Sequence, residues 1–309
     1  MRVEILLSTY NGEKYLPAQL DSLLHQAHPD YHITVHDDGS GDATPSILRA
    51  FSAEHPGLLT FLEDGKSLRY PDCYWYLLEN APDADLYAFC DQDDVWDSGK
   101  LAACCEMCGR ENPETPLLWF HDYRISDGDL KVYAEYHASA MGFRTDYPYN
   151  MIYFVMTSGF AMVINHSLRR RILWDTLAGK NIPHDRWILW CAFFAGKILY
   201  DPRLLVTYRR HGNTVTPTGK GNGILLKEWW REEVRGNRMA WWNGLARYYA
   251  ECYSKEMDTR FPDVRSKWLL ISGNRKGFVP YLKRLFFPLR LKPSLVGELI
   301  LRFCFLLNK

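Results

Sequence analysis

Over its first hundred residues the chain alternates short runs of β-formers with segments of helical periodicity, and no other feature constrains the fold as much. Val3 to Ser8 has the composition of a buried strand, after which Leu16, Leu20, Leu23 and Leu24 share one helical face. His32 to His36 predicts a second strand. Thr44 then stands as an N-cap, with Pro45 at the first helical position of a segment carrying Ile47, Leu48 and Phe51. A strand over Leu58 to Leu62, a helix through Tyr74 to Leu78 and a strand over Leu86 to Phe89 continue the series. Parallel neighbours need a crossover, usually a helix, so this alternation specifies an α/β domain with a mostly parallel sheet flanked by helices.

In such a sheet, ligands bind beyond the carboxyl ends of the strands. Three polar loops belong at that edge: Thr9-Tyr10-Asn11-Gly12-Glu13, Asp37-Asp38-Gly39-Ser40-Gly41-Asp42 and Cys90-Asp91-Gln92-Asp93-Asp94-Val95-Trp96. The third packs three carboxylates into four residues. Such groups repel one another and need compensation by a cation or by full solvation. Oxygen ligands at i and i+2 on extended chain suit Mg²⁺ or Mn²⁺, a substrate phosphate completing the octahedron, and an acidic turn at a strand end is the alternative. Together the loops fit a ligand carrying both phosphate and hydroxyls.

Further along, Ser98 is placed as the N-cap of a helix with Leu101, Cys104, Cys105 and Cys108, and a strand over Leu117 to Phe120 ends in His121-Asp122. The polar, aromatic stretch from Asp127 to Tyr149 is expected to be loop-rich and to face substrate. Thr157-Ser158-Gly159 leads into a strand over Phe160 to Ile164. His184-Asp185 follows Pro183 and opens an apolar helix through Ile188, Leu189, Ala192 and Phe193. Lys197 to Tyr200 and Leu204 to Arg209 predict short strands, followed by Arg210-His211-Gly212-Asn213 and a loop from Thr214 to Gly223.

Composition changes near residue 215, which sets an expected boundary between a domain over 1–215 and a helical, aromatic and basic region over 216–309. The doublets Trp229-Trp230, Trp241-Trp242 and Tyr248-Tyr249 fit core packing and interhelical contact better than the alternative, a sugar or lipid platform. From Arg275 onward there are eight Lys and Arg residues against one acid, Glu298. Two readings stand for this segment: a helical cap docked on the domain, or a basic, aromatic stretch lying on an anionic membrane.

Charge excludes one class. Lys plus Arg equals Asp plus Glu at 37 each, so no general nucleic-acid footprint is expected. The eight cysteines include Cys105-x-x-Cys108 without a second pair at zinc-ribbon spacing, and are expected to be reduced, mostly buried thiols of a cytosolic protein. Arg2 to Leu7 runs straight into the first motif with no signal-peptide pattern, and no window of ~18 apolar residues predicts a transmembrane span.

Ser8 to Glu13, Asp37 to Ser40 and Asp91 to Trp96 resemble the successive motifs of the family-2 glycosyltransferases, which have the Rossmann-like GT-A fold. With His184-Asp185 and Tyr208-Arg209-Arg210-His211-Gly212-Asn213, the set is similar to the bacterial rhamnosyltransferase branch of surface-polysaccharide assembly. The likeness covers about the first two thirds of the chain, and as an ordered set it is specific. It implies an inverting transfer of rhamnose or another hexose from a UDP- or dTDP-sugar to a hydroxyl. The expected acceptor is a growing bacterial surface glycan at the inner face of the plasma membrane, and the basic, aromatic C-terminus is the motive for expecting it to be lipid-linked. By position, Thr9, Tyr10, Asn11, Glu13, Asp37 and Asp38 would hold the donor nucleotide. Asp93 would ligate Mn²⁺ or Mg²⁺ with Asp91 and His211, Asp91 also facing ribose. Asp185 would be the base, and Trp96, His184 and Arg210 would contact acceptor or diphosphate.

The sequence departs from the family at Arg186, where an aromatic is commoner, at Arg210, where Gln is common, and at Pro71-Asp72-Cys73-Tyr74. The competing class is a non-catalytic nucleotide-sugar or glycan-binding protein on a degenerate transferase scaffold. Retention of Asp38, Asp91, Asp93 and Asp185 argues against it. A sugar-nucleotide pyrophosphorylase would need a Gly-rich phosphate loop, which Ser8 to Tyr15 lacks, and a two-carboxylate hydrolase leaves the Asp37-Asp38 loop without a task.

Overall fold

Parallel strands carry the three acidic loops to one edge. In the computed structural model, β1 (Val3–Thr9) lies between β2 (Tyr31–Asp37) and β4 (Leu86–Cys90), with β3 (Leu59–Phe61) outside β2. Register sets Thr9 opposite Asp37 and Leu7 opposite Cys90, so the three loops leave the sheet side by side. Residues 1–62, 65–142, 144, 146–177, 179–211, 236–273, 277–292 and 294–307 are described. The loop expected over Thr214 to Gly223, Gly212-Asn213 and Trp229-Trp230 lie outside them.

By internal contacts the chain divides into two units, Met1–Ala140 with Thr157–His211, and Met141–Met156 with Gly212–Lys309. The first holds a nine-stranded mixed sheet of order β3-β2-β1-β4-β8-β6-β9-β5, with β7 on β6. Its remaining strands are β5 (Val95–Trp96), β6 (Leu117–Ser126), β7 (Val132–Tyr136), β8 (Met162–Asn165) and β9 (Lys197–Arg209). The parallel pattern holds from β3 to β4 and between β6 and β9. Antiparallel pairs enter at β8, β7 and β5. Helices α1 (Leu16–Leu24), α2 (Thr44–Glu54), α3 (Asp72–Asn80), α4 (Lys100–Cys108), α5 (His166–Arg169) and α6 (His184–Ala195) accompany the sheet. Strand β4, parallel to β1 and antiparallel to β8, is buried throughout, as a strand in the middle of a sheet covered on both faces should be. From Arg186 to Phe194 every residue of α6 is buried, so this helix is apolar nearly all round.

Local expectations shift in five places, the first being the strand expected over Phe160 to Ile164: Gly159–Ala161 is a 3-10 turn and the strand is Met162–Asn165. Thr44 is the first helical residue of α2 rather than its cap; its amide donates to Asp42 Oδ1 at 2.9 Å while its hydroxyl accepts from Gly12 N–H at 2.8 Å. At α4, Gly99 and not Ser98 holds the cap position, and Asp97 Oδ1 accepts from its amide at 3.0 Å. His121 and Asp122 lie inside β6, which runs on to pair with β7 within the stretch expected to be loop. The two short strands after Lys197 are one, β9, whose register jumps between Asp201 and Leu204, where Pro202 lacks an amide to donate. None of the eight cysteines is in a disulfide.

The second unit packs α7 (Arg238–Cys252), α8 (Ser254–Arg260), α9 (Val264–Ile271), α10 (Phe278–Leu285) and α11 (Leu295–Leu306) with the segment Met141–Met156. Tyr249 stacks on Tyr253 at 4.6 Å, and buried Trp268 donates to the Pro148 carbonyl at 3.0 Å. Tyr153 donates to Asn243 Oδ1 at 2.6 Å. Among the doublets, Tyr249 is core, whereas Trp241 is exposed. Among the described residues no helix is long and apolar enough to cross a membrane.

Candidate active site

The first two loops are knitted together by the side chains expected to meet the donor. Asp37 accepts from Thr9 Oγ1 at 2.8 Å, from Ser40 Oγ at 2.6 Å and from the Ser40 amide at 2.9 Å. Asn11, in the left-handed region that Asn tolerates (φ 46°), donates its amide to Ser40 Oγ and accepts from Gly41 N–H, both at 2.8 Å. Glu13 accepts from Ala43 N–H at 2.9 Å. Thr9 is buried, and these groups therefore shape the floor of the edge before any ligand arrives. Tyr10 presents an exposed ring. Asp38 is buried; its carboxylate accepts from the amides of Leu68 and Arg69, the latter at 2.8 Å, with His36 Nε2 at 3.6 Å.

The third loop is clamped to the first by Gln92. Its Oε1 accepts from the Tyr10 amide and its Nε2 donates to the Tyr10 carbonyl, both at 2.8 Å. A Cβ on Gly12 would fall 2.2 Å from Gln92 Oε1, so only glycine leaves room for this clamp.

Carboxylate oxygens of Asp91, Asp93 and Asp94 can be drawn from within 4.8 Å of one another. Burial and the Asp93 charge push Asp91 up to about 7, while the Tyr74 hydroxyl donates to its Oδ1. Asp94 is fully buried and held well above the usual carboxylate range by burial and by the charges of Asp93 and Asp91. Its Oδ1 accepts from the Arg209 amide at 3.1 Å. His211 Nε2 sits 2.8 Å from Asp93 Oδ2, and its ring stacks on Tyr15 with centroids 4.5 Å apart. Arg209 lies 4.7 Å from the same tyrosine ring and donates through Nε to the Asp93 carbonyl at 2.8 Å and through Nη1 to the Gly128 carbonyl at 3.0 Å. Crowded hard oxygens beside one imidazole fit a divalent cation: after burial, the charge of Asp93 is what raises Asp91 and Asp94, and such an ion relieves that repulsion.

Helix α6 brings up the remaining pair. His184 is buried against Tyr74 and Phe89, with ring centroids 4.3 and 4.9 Å away, and burial pushes it down to about 4. Neither ring nitrogen has a hydrogen-bond partner among the described residues. A Cβ on Gly159 would stand 2.3 Å from His184 Nε2, so this glycine admits the imidazole. Asp185 is half-buried and accepts from the Arg186 amide at 2.7 Å, in the first turn rather than at the cap. Its charge adds to the rise of Asp91 and of Tyr70, which marks its nearness to both. Arg210 lies 5.7 Å from the Tyr208 ring and donates its amide to Ser126.

One expected contact residue is corrected. Trp96, 3% exposed, belongs to the hydrophobic core, and its strand β5 pairs with β9. Lys100 Nζ lies 3.3 Å from its ring centroid and donates to the Phe160 carbonyl at 2.7 Å. A ring so covered supports the loop from beneath and has no face for a substrate. Lys100, fully buried and pushed down to about 7 by burial, was not legible as part of this edge. Nor were Tyr15 and Tyr74, whose places depend on elements far apart in sequence; Arg209 and Gly159 stood in stretches the sequence singled out, without these contacts. Gln92 and Asp94 stood inside the motif, and their middle positions were the available signal.

Residues 4–176 match Glycosyl transferase family 2. An uncharacterized glycosyltransferase of Nostoc sp. is 25% identical over 225 residues, 69% of this chain, and the chain spans 66% of that relative's length. A dTDP-rhamnosyl transferase, RfbG of Shigella flexneri, is 32% identical over 98 residues, covering 31% of this chain and 34% of the relative. Among solved structures, S. aureus TarS in complex with UDP-GlcNAc superposes with a TM-score of 0.53 at 14% identity, over 88% of this chain and 79% of that one. The mannosyltransferase PcManGT of Pyrobaculum calidifontis, in complex with GDP-Man and Mn²⁺, gives 0.50 at 16% identity over 99% and 86%. At these identities the structures speak for the fold, which is that of GT-A glycosyltransferases. The family match spans more than half of the residues and takes in all three acidic loops: the chain belongs to glycosyl transferase family 2.

Proposed function

We propose that the chain transfers a hexose, rhamnose in one candidate, from a UDP- or dTDP-sugar to a hydroxyl of a growing surface glycan, with inversion at the anomeric carbon. The acceptor in this reading is lipid-linked and meets the enzyme at the inner face of the plasma membrane. The observation that carries it is the convergence of Asp91, Asp93 and His211 with Asp185, one charge influencing the next, on the edge where the three loops leave the sheet. The complexes named above, of TarS with UDP-GlcNAc and of PcManGT with GDP-Man and Mn²⁺, lend support from the fold.

Inversion in one displacement needs one base beside the acceptor hydroxyl, on the face opposite the leaving diphosphate. Asp185 takes that role: a half-buried carboxylate in the first turn of a helix, where the dipole favours the ionised form. The acceptor proton passes to its carboxylate as the hydroxyl oxygen attacks. On the donor side, Asp38 and the Tyr10 loop hold the base and ribose, since carboxylates accept from a pyrimidine N3–H or from ribose hydroxyls. Asp93, with Asp91 and His211, would hold a Mn²⁺ or Mg²⁺ ion, which when bound supplies charge neutralisation for the leaving diphosphate.

A thermal-shift panel of UDP, dTDP and GDP sugars, each with and without Mn²⁺, tests the reading. Ligands that bind only the native state raise its melting temperature. One nucleotide class giving a metal-dependent shift is expected. A protein that responds to no donor, yet shifts with glycan alone, would belong to the non-catalytic class.

A further inference from the structure

The hairpin formed by α10 and α11 is built inside out. Two of its charged residues are buried: Arg284 and Glu298 are 5% and 9% exposed. Arg302 donates to Glu298 Oε1 at 2.8 Å and to the carbonyls of Leu285, Phe287 and Leu289 at 3.0, 2.8 and 2.9 Å, closing the carboxyl end of α10. The other Glu298 oxygen accepts from the amides of Leu291 and Lys292 at 2.7 and 2.8 Å. Tyr281 in α10 donates to the Leu306 carbonyl at 3.1 Å, tying the helices side by side. The fixed polar interior leaves apolar side chains outside. Phe278, Phe286, Leu295, Val296, Leu299 and Leu306 are 73, 73, 70, 67, 69 and 56% exposed.

A helix pair facing water turns its apolar stripe inward, and a continuous exposed apolar patch marks an interaction surface. The charge around this patch selects the partner. Among the described residues from 277 to 307 the exposed charges are Lys283 and Arg290, both positive, while the one acid is buried against Arg302. An apolar face whose own segment exposes only cations complements an anionic lipid surface. The twelve residues of α11 rise ~18 Å, short of a ~30 Å hydrocarbon core, so the hairpin lies in the interface plane and does not span it.

We propose that the α10–α11 hairpin is a docking surface for an anionic bilayer, with its phenylalanines and leucines at the acyl boundary and Lys283 and Arg290 against headgroup phosphates. The proposal gives residues to the membrane side of the function proposed above and rests on that side alone; flotation is read with no donor present, so its failure and a failure of transfer are separately visible. The full chain is floated with phosphatidylcholine vesicles, with and without phosphatidylglycerol, at low and high salt. Wild type is expected to float with phosphatidylglycerol vesicles and to lose flotation as salt rises. Leu295→Glu with Leu299→Glu should reduce the bound fraction at least about tenfold, with donor-induced thermal shift retained. Lys283→Glu with Arg290→Glu, which leaves every buried group in place, should weaken binding about fivefold per charge on anionic vesicles. Flotation absent in wild type, or equal in wild type and both variants, overturns the proposal. So does a dimer in sedimentation that Leu295→Glu with Leu299→Glu dissolves while vesicles bind nothing, since the face would then be an interface between copies.

Discussion

Gln92 holds the backbone of Tyr10 at two points, accepting from its amide and donating to its carbonyl at 2.8 Å each. The residue between Asp91 and Asp93 is therefore the mechanical link between the loop that would hold the cation and the loop that would hold the nucleotide. Donor and metal binding should be coupled through it, because each loop orders the other.

Gln92→Ala removes both bonds and is expected to lower stability by about 1–2 kcal/mol. The sharper expectation is functional: the benefit that Mn²⁺ gives to donor affinity should shrink severalfold, while donor affinity without metal changes little. Calorimetric titration of donor in both conditions measures this. An unchanged Mn²⁺ benefit would reduce Gln92 to a purely structural residue.

Asp185 and Asp93 should fail in different ways. Asp185→Asn keeps the size and the half-buried setting but cannot accept a proton, so turnover should fall by about 10²–10⁴ with donor affinity within about twofold of wild type. Asp93→Ala should instead abolish the metal-dependent part of donor binding. Weakened donor binding in Asp185→Asn, or wild-type Mn²⁺ dependence in Asp93→Ala, would reverse these assignments.

The buried imidazole predicts a pH dependence of stability. His184 titrates near 4 in the folded chain, because burial disfavours its charged form, and near 6.5 when unfolded. Between these values the unfolded chain takes up a proton that the folded chain refuses. The stability present above pH 6.5 is therefore lost as pH falls toward 4, by up to about 3 kcal/mol from this group. Urea midpoints for wild type and His184→Gln across that window should converge as the pH drops, since the variant lacks this term. Parallel curves would place the titration elsewhere.

Gly159 and His184 form a steric pair. Gly159→Ala places a methyl group 2.3 Å from the imidazole nitrogen and is expected to cost about 1–3 kcal/mol. In the double variant with His184→Ala the cost of the methyl group should largely vanish, because the space is vacated. A double-mutant cycle by chemical denaturation gives the coupling, and additivity would show that the loop yields instead.

What the sequence determined by itself was local in origin. Periodicity of two and of 3.6 laid out β1 to β4 with their helices, and parallel pairing then required the Thr9, Asp37 and Asp91 loops to emerge at one edge, as the Thr9–Asp37 and Leu7–Cys90 registers have it. The acidic cluster was visible for the same reason, its members lying within four consecutive residues. What only the tertiary structure decided was the fate of each side chain at that edge. Whether Trp96 faces substrate or core depends on β5 joining β9, 110 residues later, and on Lys100 covering its ring. That Tyr74 reaches Asp91, that Tyr15 lies under His211, and that Gly159 makes room for His184 follow from packing between elements with no sequence proximity. The inversion of the α10–α11 hairpin belongs with these. Its basic, aromatic composition was evident from the chain, but Glu298 and Arg302 turn inward because they pair with each other and with the carbonyl end of α10, and that pairing puts the leucines outside.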